Sequence, residues 1–588
     1  MATMVSTCIL RKVHHLSTMY TLLATAWLLA ASEYAASMAI STDSVTTPPN
    51  IIFIVADDLG WNDVSFHGSD QIPTPNIDAL AYHGVILNSH YVQPVCTPSR
   101  SALMTGKYPI RTGMQGQPIS PAQLRALPEG KILPQYLKDL GYVTRAVGKW
   151  HLGHHSKKYT PTYRGFDSHL GYWSGLVGYY DFIIQSGNMS GYDMRDNMRT
   201  AWEYSGRYVT DVFTEEAERL IAEHDTARPL FLYLAHLGCH AGVAAKWLDA
   251  PQQVVNAFGH VSDPNRRLYA AVMSKVDESV GRVAAALQQR GMLENSIIVF
   301  IADNGAPSSG QYNNWGSNYP LRGIKNTLWE GGVRGVAAVW SPLLDNTPRV
   351  SNQLMHITDW LPTLYAAAGG NASSLPEDLD GVNAWPQLVT GFGSPRSELL
   401  INVDEVVGNA AIRLDDWKLV RGRQNSASDT GYQGSTGRED AVYTPVYTPE
   451  QVLSSAAGRA ISSALGNSTP AKVMLRLRAE ATVSCPDRPQ QPRCAVVNGS
   501  DVCVFNVTRD PCEAGDGVAS EDVLSMLLER LEALSQPMLP QQDSTTYPDL
   551  ADPRRWNNTW VPWSDCLVDA TDEACNAVAN TTRLISVV

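Results

Sequence analysis

The run C-T-P-S-R-S-A-L-M-T-G-K-Y-P, from Cys96 to Pro109, sets one cysteine apart from the group that begins at Cys485. Thr97, Pro98 and Ser99 favour the first turn of a helix, Ser101 to Met104 can continue it, and Gly106 can end it. A thiol at that start faces free N–H groups and the positive end of the macrodipole, where an oxyanion can be held. Without context a lone cysteine is more often a small buried hydrophobe. Cys96 therefore packs, pairs with the equally isolated Cys239, or is kept for chemistry. Asp57 and Asp58 in A-D-D-L-G, with Asp303 and Asn304 in A-D-N-G, offer hard oxygen ligands that suit Ca²⁺ or Mg²⁺ better than Zn²⁺. Either motif alone could be a turn after a strand. Lys149 and His151 in G-K-W-H-L-G are two residues apart, so an extended segment would turn both toward one side.

Four apolar runs have to position these groups: Asn50 to Ala56, Tyr142 to Val147, Leu230 to Ala235 and Ser296 to Ala302. Helical stretches separate them, the clearest being Arg266 to Arg290, where Leu268, Val272, Val276, Val280, Val283 and Leu287 keep a spacing of three or four. Strands that are apolar throughout and alternate with helices predict an α/β fold, a buried, mostly parallel sheet sandwiched by helices. Ligands of such sheets bind beyond the carboxyl ends of strands. Asp57 and Asp58, Lys149 and His151, His236 and His240, and Asp303 and Asn304 follow the four runs in turn.

The Cys96 segment resembles the sulfatase signature, Cys-x-Pro-Ser-Arg followed by a spacer and Thr-Gly-Lys/Arg, and G-K-W-H-L-G resembles a second element of that family. The resemblance runs from about Pro48 to the tail. It is closest to the arylsulfatase B (N-acetylgalactosamine-4-sulfatase) type, through I-R-T-G-M, L-W-E-G-G-V-R-G, H-I-T-D-W-L-P-T-L, L-D-G-V-N-A-W and D-P-R-R-W-N-N-T-W-V-P-W. It implies an alkaline-phosphatase-like fold and a formylglycine made from Cys96 by a formylglycine-generating enzyme during secretion. It also implies one Ca²⁺ held by Asp57, Asp58, Asp303 and Asn304 and touching the nucleophile at position 96. Lys149 and Lys325 would hold the sulfate, Arg100 would orient the hydrated aldehyde, His151 would move protons at the nucleophile, and His240 would protonate the leaving oxygen. His236 is the weaker competitor of His240. Where many relatives have His-Glu-Pro this chain has His240, Ala241 and Gly242, which puts the local turn in doubt. The implied reaction is hydrolysis of 4-sulfate from N-acetylgalactosamine in glycosaminoglycans. The rivals are an arylsulfatase for another sulfated sugar, a two-metal phosphatase on the same sheet, and a secreted calcium-dependent carbohydrate-binding protein without activity.

The 588 residues are enough for two domains. A net charge of −13 argues against a nucleic-acid partner and requires an anionic substrate to be met by a local basic site. Arg11, Lys12 and the apolar stretch from Met19 to Ala31 read as a secretory signal peptide ending near residue 39, with no membrane span in the mature chain. Seven sequons, at Asn188, Asn371, Asn467, Asn498, Asn506, Asn557 and Asn580, agree with the secretory route and with a lysosomal or extracellular destination. Cys485, Cys494, Cys503, Cys512, Cys566 and Cys575 read as disulfides of open pairing. A catalytic domain over 48–395 and a smaller α+β domain over 396–588 are expected. The latter would contain strands at Glu398 to Val403 and Ala411 to Val420, an exposed loop at 423–450 and a helix from Ser520 to Ser535.

Overall fold

The computed structural model describes residues 47–569 and Cys575, apart from positions 244–245, 311, 425–430, 435, 437–445, 486–488, 490 and 497. The expected signal peptide, most of the expected loop at 423–450 and Asn580 lie outside the described residues. From Pro48 onward the described residues form one compact unit.

A ten-stranded sheet runs through it. In chain order its strands are β1 (Asn50–Ala56), β2 (Val85–Leu87), β3 (Val143–Lys149), β4 (Ser168–Tyr172), β5 (Arg195–Asp196), β6 (Arg199–Thr200), β7 (Leu230–Ala235), β8 (Ser296–Ala302), β9 (Ala337–Trp340) and β10 (Arg349–Ser351). Across the sheet the order is β10-β2-β9-β8-β1-β7-β3-β4-β5-β6. The central five strands, from β8 to β4, are parallel, and antiparallel neighbours flank them on both sides. The alternation of β1 explains the layers. Ile52 and Ile54 pack toward α1 (Pro75–His83), α3 (Val209–Ala222) and α4 (Pro264–Gln289), while Ile51, Phe53 and Val55 pack toward α2 (Cys96–Thr105) and α5 (Trp360–Ala367). Each fully buried aliphatic or aromatic side chain contributes about 1.5–3 kcal/mol. Helix α4 starts where Asp263 accepts from the N–H groups of Asn265 and Arg266, with Pro264 in its first turn.

A second, antiparallel sheet follows, with β11 (Glu398–Asp404), β12 (Asn409–Leu414), β13 (Trp417–Arg421) and β14 (Val502–Asn506) paired in chain order. The single strand expected from Ala411 to Val420 is two. Asp415 takes a left-handed φ of 48° and the chain reverses there, so that Leu414 pairs with Trp417. Helix α6 (Glu521–Leu534), capped by the Ser520 hydroxyl, covers one face of this sheet. The other face meets Tyr91, Leu328 and Trp329. The late cysteines form Cys485–Cys512, Cys494–Cys503 and Cys566–Cys575. Among the described residues no helix is long and apolar enough to cross a membrane.

Candidate active site

The strand register places the polar groups. Ala56 pairs with Ala302 and Val55 with Ala235, so the residues leaving β1, β7 and β8 emerge side by side. Asp57 N–H then donates to Gly238 O (3.1 Å) and Cys239 N–H to Asp57 O (2.6 Å), fixing the turn beyond β7 against the turn beyond β1.

Cys96 is the first residue of α2, as its sequence implies, and Gly106 closes that helix at φ 67°. The helix start is stitched to the sheet. The Ser99 hydroxyl donates to Asp303 O (2.5 Å) and accepts from Gln93 N–H (2.9 Å), and Thr97 Oγ1 donates to His151 O (3.1 Å). Cys96 and Cys239 are both buried and unpaired, and Cys239 sits in the core with its Sγ 3.5 Å from Met273 Sδ. The alternative of a disulfide between the two is not formed. Burial pushes the Cys96 thiol above its ordinary pKa despite the opposing pull of Lys149 and Lys325.

The carboxylates line the floor and are fully buried. Lys149 Nζ lies 2.6 Å from Asp57 Oδ2, and Lys325 Nζ 2.6 Å from Asp58 Oδ1. The Arg100 guanidinium donates through two nitrogens to Asp303 Oδ2 (3.0 and 2.8 Å) and reaches Lys149 O (3.2 Å). It therefore balances the floor carboxylates from behind. Asp303 Oδ1 accepts from Asp58 N–H at 3.3 Å, and Asn304 Nδ2 donates to Asp58 Oδ1 at 2.6 Å. Burial would raise the Asp58 carboxyl, but the charges of His240 and Lys325 outweigh it and hold it below the usual range. Three oxygens of this floor, Asp57 Oδ1, Asp58 Oδ2 and Asn304 Oδ1, are buried without a hydrogen-bond partner. Ligand atoms of Asp57, Asp58 and His240 lie within 4.8 Å of one another. An oxygen-rich, anionic set of this kind fits a hard divalent cation. Asp303, the other acid expected in this set, is engaged by Arg100 through Oδ2, as Asp57 and Asp58 are by Lys149 and Lys325, and His240 lies beside the carboxylates.

The histidines sit above the floor. Lys149 is the last residue of β3, but His151 adopts a left-handed φ of 58°, so a turn and not strand alternation brings the pair together. His151 Nε2 donates to Ile119 O (3.0 Å), which leaves the lone pair of Nδ1 toward Cys96 Sγ at 3.2 Å. Burial and then Lys149 push its pKa well below the ordinary histidine value, so the ring is neutral. Gly175 makes room for it, since a Cβ there would come within 2.6 Å of the imidazole. His240 Nδ1 donates to Ala241 O (2.5 Å), leaving Nε2 toward Asp58 Oδ2 at 3.5 Å. Its pKa is lowered by burial, against the pull of Asp58. His236 bonds Ser279 in the core beneath and does not reach this cleft.

Cys96, His151, His240 and Lys325 line one open cavity of about 510 Å³. Its walls come from segments the sequence reading did not single out, the stretch Gln117–Pro121 and the hairpin of Ile183–Ser186 and Met189–Tyr192. A tail far away in sequence holds both: Trp563 Nε1 donates to Pro121 O (3.3 Å), Trp560 Nε1 to Ile184 O (3.4 Å), and Trp560 N–H to Tyr192 O (3.1 Å). Asn314 was also missed. Its amide donates to Asp58 O (2.9 Å) and Cys239 O (3.0 Å), tying a polar loop to the floor. One asparagine in a breaker-rich stretch carries no spacing that could have announced this.

The sulfatase family profile matches residues 49–370. The chain is 37% identical over 543 residues to arylsulfatase J of Mus musculus, covering 88% of this chain and 81% of that protein. It is 35% identical over 370 residues to N-acetylgalactosamine-6-sulfatase of Canis lupus familiaris, covering 58% of this chain and 66% of that one. Among solved structures it is similar to Ps i-CgsB in complex with k-i-k-neocarrahexaose, with a TM-score of 0.64, 25% identity, and coverage of 86% of this chain and 97% of the other.

Proposed function

The chain belongs to the sulfatase family and is a sulfuric ester hydrolase, and from that premise we propose that it removes the 4-sulfate of N-acetylgalactosamine residues in glycosaminoglycans, using a formylglycine made from Cys96. The observation that carries the reading is the convergence of Cys96, His151, His240 and Lys325 on one cavity, with Lys149 and the carboxylate floor directly beneath.

A sulfate monoester resists anionic nucleophiles because its own oxygens repel them. Lys149 and Lys325 bring two ammonium groups to where those oxygens would lie, and Arg100 offsets the carboxylates behind them. Neutral His151 offers its Nδ1 lone pair to the group at position 96 and takes a proton there. His240, whose Nδ1 donates to Ala241 O, would act as the acid when protonated on Nε2 as well, a form the neighbouring Asp58 favours, and would give that proton to the leaving alcohol. Asp57, Asp58, Asp303 and Asn304 would hold Ca²⁺, which when bound supplies positive charge beside the sulfate. Formylglycine supplies a hydrated aldehyde whose second hydroxyl lets sulfate leave without attack by an outside water.

The motifs shared with the arylsulfatase B type favour position 4. The likeness to N-acetylgalactosamine-6-sulfatase favours position 6 as the second reading. The secretory route, with lysosomal or extracellular delivery, is supported by the three disulfides and by exposed sequon residues Asn188, Asn371, Asn467, Asn498 and Asn557. We also keep the domain division at 396 as a proposal; the antiparallel sheet begins at Glu398. The test is mass spectrometry of the Cys96 peptide from active protein, with kinetics on disaccharides sulfated at position 4 or 6. A formylglycine mass and a tenfold or greater preference for the 4-sulfate are expected. A thiol throughout would refute the nucleophile, and a preference for the 6-sulfate would move the assignment.

A further inference from the structure

The reaction explains the floor of the cavity but not its mouth. There Tyr312 stands beside His240, ring centroids 6.3 Å apart, and is 41% exposed although the residues around it are mostly buried. Trp247 supports it edge-on, at 5.9 Å and 85°. Tyr312 holds a left-handed φ of 63°, a conformation that costs a non-glycine residue, and surrounding structure maintains it. Asn314 ties the loop to Asp58 O and Cys239 O, and Arg266 Nη1 donates to Trp315 O at 2.9 Å. An aromatic face is thus kept in water, on a fixed base, next to the candidate acid.

The rest of the lining offers uncharged hydrogen-bonding groups in Gln117, Ser120, Gln185 and Ser186. Apart from Lys325 and the two histidines, no titratable side chain other than Tyr312 and Cys96 lines the cavity among the described residues. A ligand ring with a carboxylate would meet no cation of its own there. One whose hydroxyl and amide groups bond the glutamines and serines, and whose C–H face lies on the tyrosine, would be matched by both kinds of lining.

We propose that Tyr312, backed by Trp247, is the stacking platform for the pyranose that bears the scissile sulfate, and that this subsite selects a neutral sugar such as an N-acetylhexosamine over a uronate. The proposal rests on the sulfatase reading of the floor and adds a specificity-determining residue to it. Distance supports the placement. A leaving oxygen in hydrogen-bond reach of His240 puts the centre of its sugar ring a few ångströms farther out, a span that the 6.3 Å between the His240 and Tyr312 rings accommodates, while the sulfate itself stays with the lysines.

Kinetics of Tyr312→Ala and Tyr312→Phe on a sulfated N-acetylgalactosamine disaccharide test this, with inorganic sulfate as competitive inhibitor. For Tyr312→Ala, KM should rise about tenfold, the loss falling on KM more than on kcat. The inhibition constant of sulfate should stay within twofold, and Tyr312→Phe should recover most of KM. An unchanged disaccharide KM in the alanine variant overturns the platform. So does an equal weakening of sulfate, which would mean the loop only props the lysines. If the wild-type protein hydrolyses aryl sulfates but no sulfated disaccharide, the glycosaminoglycan reading fails separately. The platform is then decided on nitrophenyl sulfate, where a tenfold rise in KM for the alanine variant retains it and no rise discards it.

Discussion

The floor and the wall of the cavity are built on opposite plans. The floor is ionic, and its carboxylates are fully buried and drawn from the ends of parallel strands that lie side by side. The wall is neutral, partly open, and assembled from Gln117–Pro121, a hairpin and a tail more than 350 residues distant, held by indole N–H groups and backbone bonds. The contrast separates two tasks. Charge that must not move at the moment of reaction sits where a low dielectric makes it strong and neighbours fix it. Shape that must fit one ester among many sits on loops, which can vary without disturbing the sheet.

If that division holds, substitutions in the floor should act on turnover and substitutions in the wall on recognition. The largest effect is expected from Cys96→Ala, with loss of at least about 10⁴ in kcat on an aryl sulfate and a melting temperature close to wild type; residual activity within tenfold would place the nucleophile elsewhere. Next comes Lys149→Ala, which removes a buried cation 2.6 Å from Asp57 and should lower kcat by about 10²–10³; a change confined to KM would break the contrast. For Trp563→Ala the loss should be about tenfold in kcat/KM, carried by KM, together with about 3–5 kcal/mol of stability measured in urea. Trp563→Phe should restore most of the stability, and a fall in kcat alone would assign the tail to the floor.

The smallest effect concerns stability under acid. His236 is buried beneath the floor, and burial lowers its pKa to about 3. Its contribution is complete above about pH 6.5 and is lost as pH falls toward 3, because the unfolded chain takes up the proton first. Between pH 7 and 5 this costs about 2 kcal/mol. His236→Gln should remove that slope while leaving KM alone, as equilibrium unfolding at the two pH values would show. Asp78, raised by burial to about 8, works in the opposite sense and strengthens the fold on acidification.

The floor was legible in the chain because its residues follow continuous apolar runs, and the parallel register that such runs imply delivers their ends to one edge. Strand alternation was the wrong reason for the meeting of Lys149 and His151, since His151 lies in a left-handed turn, and His240 came closer to the carboxylates than its role as an acid suggested. The wall was not legible. Gln117, Gln185 and Tyr312 have neither period nor charge to mark them, and their placement depends on contacts that cross hundreds of residues. The tail motif was visible as a string, but nothing in it announced that Trp560 and Trp563 would grip two other loops. The reversal at Asp415, which divided one expected strand into two, shows the same limit on a smaller scale: a two-residue turn needs no glycine or proline to break a run.

The central strand β1 is made first, yet its partners β7 and β8 follow about 180 and 246 positions later in the chain. During synthesis at about 5–20 residues per second, some 200 residues must still be added after Cys96 before β8 exists. That takes about 10–40 s. For that time the segment that will become α2 lacks the β8 end to which Ser99 and Arg100 anchor it, and on the formylglycine reading proposed above a modifying enzyme would meet Cys96 as a peptide. Once β8 arrives, the same thiol is only 1% accessible. On that same reading the topology would act as a clock, and a mutation that hastened collapse of the parallel sheet would reduce the share of molecules converted.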